Sequence, residues 1–214
     1  MAQWEGMKIT RRIHSCVEIS DGDTTVVLDP GGFGTPDNLA EVDAVLITHI
    51  HPDHVDADAL TAARATNPEL RIYGPEGLRE LIDADYNVVA DGDTFSLGSL
   101  NVEVRETPHE KIINSKELPE NLGYLFNDTV LHPGDSMAAI PDMEVVLVPI
   151  SGPWLRMLMV DEYLAAHRPK RFIGVHDGVD NDNGLTLRGG LLRQLAKDHG
   201  VEYLPLKPGE SVEV

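Results

Sequence analysis

The feature that most constrains this chain is a short apolar run at residues 44–48 (AVLIT) that ends abruptly in His49-Ile50-His51-Pro52-Asp53-His54. An apolar run of this length, bounded by polar residues, reads as a buried strand. The residues after it therefore stand at a strand end. In extended backbone, residues two apart point the same way, so His49 and His51 can reach one ion. Pro52 biases His51 toward extended geometry and helps hold that arrangement. Asp53 and His54 are adjacent and diverge, so at least one of them serves a second ion. Imidazole and carboxylate together suit zinc, iron or manganese rather than calcium. Three imidazoles and a carboxylate within six residues form a specific pattern, unlike the scattered histidines of a surface loop.

The remaining elements say what kind of fold carries that strand. Residues 8–13, 15–19 and Thr24–Leu28 read as strands, with Asp21-Gly22 as a turn. Residues 56–66 and 75–84 read as helices around a strand at 71–73. Residues 91–98 and 101–106 return to hairpin character, and two further strands flank Asn127-Asp128. Val145–Pro149 and Arg171–Val175 read as buried strands, 160–167 and 185–199 as helices, and short strands near Tyr203 and Val212 close the chain. Hairpins come first and strand–helix units follow in both halves. That order predicts two sheets packed face to face with helices outside. At 214 residues the chain fits one domain, built of two fused halves.

Four ligand-type residues do not complete two sites, and later strands supply more. His109 follows the strand at 101–106. Asp135 follows the strand at 129–131 within His132-Pro133-Gly134-Asp135-Ser136. His176 follows the apolar strand at 172–175. Each is a ligand-type residue just past a strand, where loops converge on one sheet edge. His14 and His132 flank turns on the same side and read either as pocket residues or as hydrogen-bonded structural histidines. Trp154 reads as a wall of the substrate pocket. Asp29 reads as a residue that caps a turn or holds a ligand histidine from behind. Gly31-Gly32-Phe33-Gly34 reads as a glycine turn. Asp180-Asn181-Asp182-Asn183-Gly184 resembles a calcium loop, but its glycine falls one place early and no glutamate follows at the right distance. Gly134-Asp135-Ser136-Met137-Ala138 lacks the closing glycine of a serine-hydrolase elbow.

Composition limits partners. Lys and Arg number 17 against 36 Asp and Glu, a formal charge of 17 − 36 = −19. Such a surface repels phosphate backbones and anionic membranes, which disfavours nucleic-acid and membrane binding. No stretch approaches the roughly 18 apolar residues that span a bilayer. The first residues carry basic groups with no apolar run behind them, and Cys16 is alone, so a cytoplasmic protein without a signal peptide is expected. A small-molecule substrate fits this surface, and a homo-oligomer is compatible with it.

These residues resemble the metallo-β-lactamase superfamily, with Thr48-His49-Ile50-His51-Pro52-Asp53-His54 as its motif and the later ligands in the family's order. Within it, Ile13-His14-Ser15, Leu28-Asp29-Pro30, His132-Pro133-Gly134-Asp135-Ser136 and Pro149-Ile150-Ser151-Gly152-Pro153-Trp154 are similar to landmarks of the small cytoplasmic hydrolases related to ascorbate-phosphate lactonase. The resemblance implies an α+β fold, a single-domain four-layer αββα sandwich with metals at one edge of the paired sheets. It implies that His49, His51 and His109 bind a first ion, that Asp53, His54 and His176 bind a second, and that Asp135 bridges them. Two divalent ions, zinc before manganese or iron, then activate a shared hydroxide for hydrolysis of a lactone, ester or phosphoester, with Asp53 orienting it and Asp135 holding both cations. The rival expectations are a mononuclear iron oxygenase and a binding or sensing protein whose metals are structural.

Overall fold

In a computed structural model that describes residues 6–138, 140 and 142–214, alternate side chains of single strands enter two different cores. Val26, Leu28, Ala44 and Leu46 face one cluster, whereas Val27, Val45 and Ile47 face another. Val145 and Leu147 share the first cluster, and Val146 and Val148 belong to a third. Strands covered on both faces have no polar face to show, which is why they appear in sequence as unbroken apolar runs.

The first sheet is built from β1 (Lys8–Arg11), β2 (Val17–Asp21), β3 (Thr24–Leu28), β4 (Ala44–Leu46), β5 (Arg71–Gly74), β6 (Asn87–Val88) and the terminal β14 (Ser211–Glu213). The second holds β7 (Thr94–Leu97), β8 (Leu100–Glu106), β9 (Leu122–Phe126), β10 (Val130–His132), β11 (Val145–Pro149), β12 (Arg171–Val175) and β13 (Glu202–Leu204). Their orders are β14-β1-β2-β3-β4-β5-β6 and β13-β12-β11-β10-β9-β8-β7. Each runs antiparallel through its hairpins and then parallel, β3-β4-β5-β6 in one and β10-β11-β12-β13 in the other. Helix α1 (Ala57–Thr66) covers the first sheet through Leu60 and Ala63. Helices α2 (Met157–His167) and α3 (Asp182–His199) cover the second through Val160, Leu164, Leu192 and Ala196. The layers are therefore α, β, β, α. This is the expected α+β sandwich.

Several local expectations are corrected. Residues 75–84 form no α-helix, only a 3₁₀ turn at Glu76–Glu80. Gly77 weakens the helix, and Leu78 and Ile82 anchor the stretch in the core. The first hairpin breaks earlier than expected, because Cys16 N–H bonds back to Ile13 and His14 turns into the left-handed region at φ 60°. α3 begins at Asp182, because the Asn181 side chain accepts the Gly184 N–H and caps the helix. The segment that resembles a calcium loop is that cap. The pair Asn87–Val88 adds an edge strand with no clear periodic signal.

Candidate metal centre

Every expected metal ligand lies in a loop at the same edge of the two sheets, as do His14 and Trp154, whereas His132 is the last residue of β10. The loop after β4 carries His49, His51, Asp53 and His54. It is pinned from below by Asp29, which ends β3 with φ 46° and is fully buried. Asp29 Oδ1 accepts the Thr48 N–H at 2.8 Å, and Oδ2 accepts the Thr48 hydroxyl and the His54 Nδ1–H, both at 2.7 Å. The Thr48 hydroxyl, having given its proton to Asp29, accepts from His49 Nδ1 at 3.0 Å. Gly31 completes the support. A Cβ there would stand 1.9 Å from the Asp53 carbonyl oxygen, so only glycine lets the β3 loop pass under the Asp53–His54 peptide. The glycine turn is thus a close approach of two backbones.

The second sheet delivers the rest. His109 lies three residues past β8, Asp135 three past β10, and His176 directly past β12 at φ 63°. Asn121 ties two of these loops together. Its amide donates to Thr107 O at 2.6 Å and Pro133 O at 2.9 Å, and its oxygen accepts the Asp135 N–H at 3.1 Å. Gly134, at φ 62°, leaves room for that amide, since a Cβ would meet it at 2.3 Å.

The side chains fall into two groups, His49, His51, His109 and Asp135 in one, and His14, Asp53, His54 and His176 in the other, each with its donor atoms within 4.8 Å of one another. Hydrogen bonds at the far side of each ring decide which nitrogen keeps its lone pair. His54 Nδ1–H is committed to Asp29, His49 Nδ1–H to Thr48, His109 Nδ1–H to Glu110 O at 2.6 Å, and His176 Nδ1–H to Ser151 O at 2.7 Å. All four therefore present a bare Nε2 inward. His51 presents Nδ1, which lies 3.1 Å from His49 Nε2 and 3.2 Å from His109 Nε2. Two imidazole nitrogens sharing one tetrahedral zinc at about 2.0–2.1 Å stand about 3.3 Å apart.

In the second group, Nε2 of His54 and of His176 lie 3.2 and 3.1 Å from Asp135 Oδ1. All three atoms are buried without a hydrogen-bond partner. Buried polar atoms this close, yet not aligned on one another, have the arrangement of groups aimed at a shared centre. Asp135 Oδ2 faces the other way, 3.5 Å from His109 Nε2 and 3.9 Å from His49 Nε2. Each of the two groups has a donor set that could hold a cation, and Asp135 lies between their histidine nitrogens.

Charge distribution agrees. Burial and the neighbouring His54 hold His49 well below the usual imidazole range, and burial with His109 and Lys116 brings His51 down to about 4. Burial also disfavours a charged His54, but Asp135 and Asp29 on its two nitrogens outweigh this and raise it well above the usual value. That is the place of an imidazolium unless another cation takes the proton's position at Nε2. Burial opposes ionisation of Asp135, yet His54 and His176 beside it keep the carboxyl well below its ordinary range.

His14, Trp154 and His132 separate on the same grounds. His14 Nε2 lies 3.1 Å from Asp53 Oδ2, inside the second group. The Trp154 N–H donates to Asp135 Oδ2 at 3.2 Å, and its ring stands 5.6 Å from that of His176 and 6.3 Å from that of His109, as a wall over the carboxylate. His132 is spent on backbone, donating to Ser15 O at 2.9 Å and accepting from Gly134 N–H at 3.2 Å. It has no ring nitrogen left for a substrate, so its place is structural. Sequence reasoning did not single out Thr48 and Asn121 as supporting residues. Thr48 sits inside the motif, but Asn121 carries no local signal.

An αββα sandwich with histidine and carboxylate groups at one sheet edge defines a class, and the sequence match agrees. The chain belongs to the family described as the β-lactamase superfamily domain, matched over residues 8–176. Protein Rv0786c of Mycobacterium tuberculosis is 29% identical over 180 residues, covering 81% of this chain and 85% of that protein. The metallo hydrolase Igni18 of Ignicoccus hospitalis has the same fold, with a TM-score of 0.72 at 18% identity over 96% of this chain and 97% of its own. CmlA, a diiron β-hydroxylase of Streptomyces venezuelae, also shares it, with a TM-score of 0.67 at 20% identity over 98% of this chain and 54% of its own. Among the described residues, no helix is long and apolar enough to cross a membrane.

Proposed function

We propose that this chain is a hydrolase with two divalent ions, one held by His49, His51 and His109 and one by Asp53, His54 and His176, with Asp135 between them. Its substrate is a small polar or anionic molecule such as a lactone, ester or phosphoester. The observation that carries the reading is the division of Asp135, whose two oxygens each face a different set of histidine lone pairs. When bound, such ions supply Lewis acidity and a nucleophilic water at neutral pH. The chain's own groups do the remainder. The Asp53 carboxylate, 26% exposed, stands at the mouth to orient a water or a substrate proton. Trp154 shields Asp135 from solvent and keeps its Oδ2 in place by an N–H bond. The likeness to the lactonase-related hydrolases is supported by where its landmarks fall, since His14, Asp29, Asp135 and Trp154 all meet at this site. Zinc is the first choice of ion; the CmlA likeness keeps iron as the alternative. A mononuclear iron site would leave one donor group without a role. A charge of −19 opposes polyanions and anionic membranes, so the substrate is small.

Protein loaded with excess zinc or manganese and then dialysed is expected to hold close to two ions per chain by elemental analysis. A plateau at one ion would sink the binuclear reading. Screening lactones, phosphodiesters, thioesters and β-lactams is expected to find turnover in at least one class, and none in any class would favour a binding or sensing role.

The segment 108–121 supports a gating role. It has neither helix nor strand, residues 113–118 are exposed, and Ile113 and Leu118 carry 57% and 40% of their surface in solvent. Both ends are fixed beside the centre, at Glu110 N–H to Asp135 O (2.8 Å) and at Asn121. The segment is thus tethered at both ends. Excising residues 111–117 is expected to raise KM about tenfold, equivalent to roughly 1.4 kcal/mol of lost contact. Metal content is expected to stay unchanged. Identical kinetics on several substrates would reduce the segment to a plain connection.

A further inference from the structure

His14 stands among the second group's donors, yet its other nitrogen gives it a different part to play. The Gly178 N–H donates to His14 Nδ1 at 2.9 Å. A neutral imidazole has one lone pair and one N–H, so a ring that accepts at Nδ1 carries its proton on Nε2. That Nε2–H points to Asp53 Oδ2 at 3.1 Å. The four inward-facing ligand histidines show the opposite pattern, donating at Nδ1 and bare at Nε2. His14 thus differs in tautomer from His49, His54, His109 and His176, and the backbone N–H of Gly178 imposes the difference.

The ring is also fixed more firmly than a mobile substrate contact requires. His14 has φ 60°, and its own carbonyl accepts the His176 N–H at 3.0 Å. Its ring lies 3.9 Å from the His176 ring on one side and meets the Phe33 edge at 4.8 Å on the other, leaving the residue 1% exposed. The loops after β1 and β12 therefore hold the ring jointly, and the ring in turn holds a carboxylate on the loop after β4.

We infer that His14 is not a metal ligand but a positioning residue that donates from Nε2–H to Asp53 and turns that carboxylate toward the second ion. The inference rests on the binuclear reading for the ion alone; the tautomer stands apart from it. A carboxylate oxygen has a second lone pair, so Oδ2 can take the His14 proton and still face His54 and His176, which stand 4.0 and 3.6 Å away. Bonds of this kind to a ligand carboxylate fix its direction, and losing one typically weakens metal affinity about 10- to 100-fold.

Long-range ¹H–¹⁵N spectra of the imidazoles test the tautomer in metal-free protein and again after zinc loading. The expected result is a protonated His14 Nε2 and a bare Nδ1 in both states. A His14 Nε2 that loses its proton on zinc loading would overturn the proposal and make it a ligand. Zinc titration of His14→Ala and His14→Gln gives the second measurement, with melting of the metal-free proteins as the folding control. His14→Ala is expected to weaken one of the two ions about 10- to 100-fold while both still bind at saturation. His14→Gln, which keeps a donor, is expected to recover part of that loss. Wild-type affinity for both ions in His14→Ala would overturn the positioning role, as would complete loss of one ion. If wild type holds no second ion, the binuclear reading fails, and the metal-free spectrum still decides whether His14 is a donor.

Discussion

Asp29→Asn is expected to strip metal from both sides of the centre and lower kcat/KM about a thousandfold while leaving the chain folded. The reason is directional. An Asn nitrogen in the place of Oδ1 would oppose the Thr48 backbone N–H, which cannot reverse. The nitrogen therefore settles in the place of Oδ2, facing two groups that can reverse, the Thr48 hydroxyl and His54 Nδ1. His54 then accepts at Nδ1 and carries its proton on Nε2, where a ligand lone pair is needed. The Thr48 hydroxyl, now accepting from the amide, turns its proton to His49 Nδ1, and His49 also becomes protonated at Nε2. One substitution behind the site thus disables one histidine in each donor group. Each such change costs about 10- to 100-fold, and two compound to about a thousandfold. Asparagine tolerates the left-handed backbone at this position, so the melting temperature is expected to fall much less than for Asp29→Ala, which leaves three buried donors unpaired. Elemental analysis and kcat/KM on the best substrate are the measurements. Wild-type metal content in Asp29→Asn would refute the relay.

Asp135→Asn is expected to reduce kcat/KM on the order of a thousandfold, more than the 10- to 100-fold typical of a change behind a ligand. The amide keeps the shape but removes the charge that opposes two cations, and it has one acceptor where Asp135 has two. Whichever way it turns, either the His54–His176 side or the His49–His109 side loses its oxygen. His132→Ala is the contrast. It unpairs the Ser15 carbonyl and the Gly134 N–H, at about 1–3 kcal/mol for a buried group left unsatisfied. In a chain of this size, each kcal/mol lowers Tm by about 2–4 °C. Activity per folded molecule is expected to survive. Equal losses of kcat/KM in the two variants would mean that Asp135 is not the bridge or that His132 takes part in the chemistry.

How much of this was legible in the sequence follows from the range of the forces involved. The strand Ala44–Leu46, expected at 44–48, and those at Val145–Pro149 and Arg171–Val175 were readable because burial on both faces leaves continuous apolar runs. Apolar spacing at 75–84 resembles a helix but does not weigh Gly77, which weakens a helix interior, and the stretch forms a 3₁₀ turn at Glu76–Glu80 instead. The edge strand Asn87–Val88, exposed at both residues, has no apolar pattern to read and exists only because β5 offers it a partner. At the site, Asp53, His54 and the two alternating histidines form a local pattern whose meaning needs only strand geometry. His109, Asp135 and His176 were legible as ligand types past strand ends, but not Asn121, whose value lies in joining two loops.

Sequence alone therefore determined the layers, the edge at which the loops gather, and which side chains arrive there, because these follow from strand periodicity and from residue order at strand ends. The tertiary structure decided which lone pair each histidine presents. That choice depends on partners 25 residues away for His54 and His176 and 164 residues away for His14. It separates His14 the donor and His132 the brace from the rings that face inward. A histidine has one proton to place between two nitrogens; the group that fixes the choice comes from a neighbouring loop of the same sheet for His54 and His176, and for His14 from the other sheet, once the two pack together.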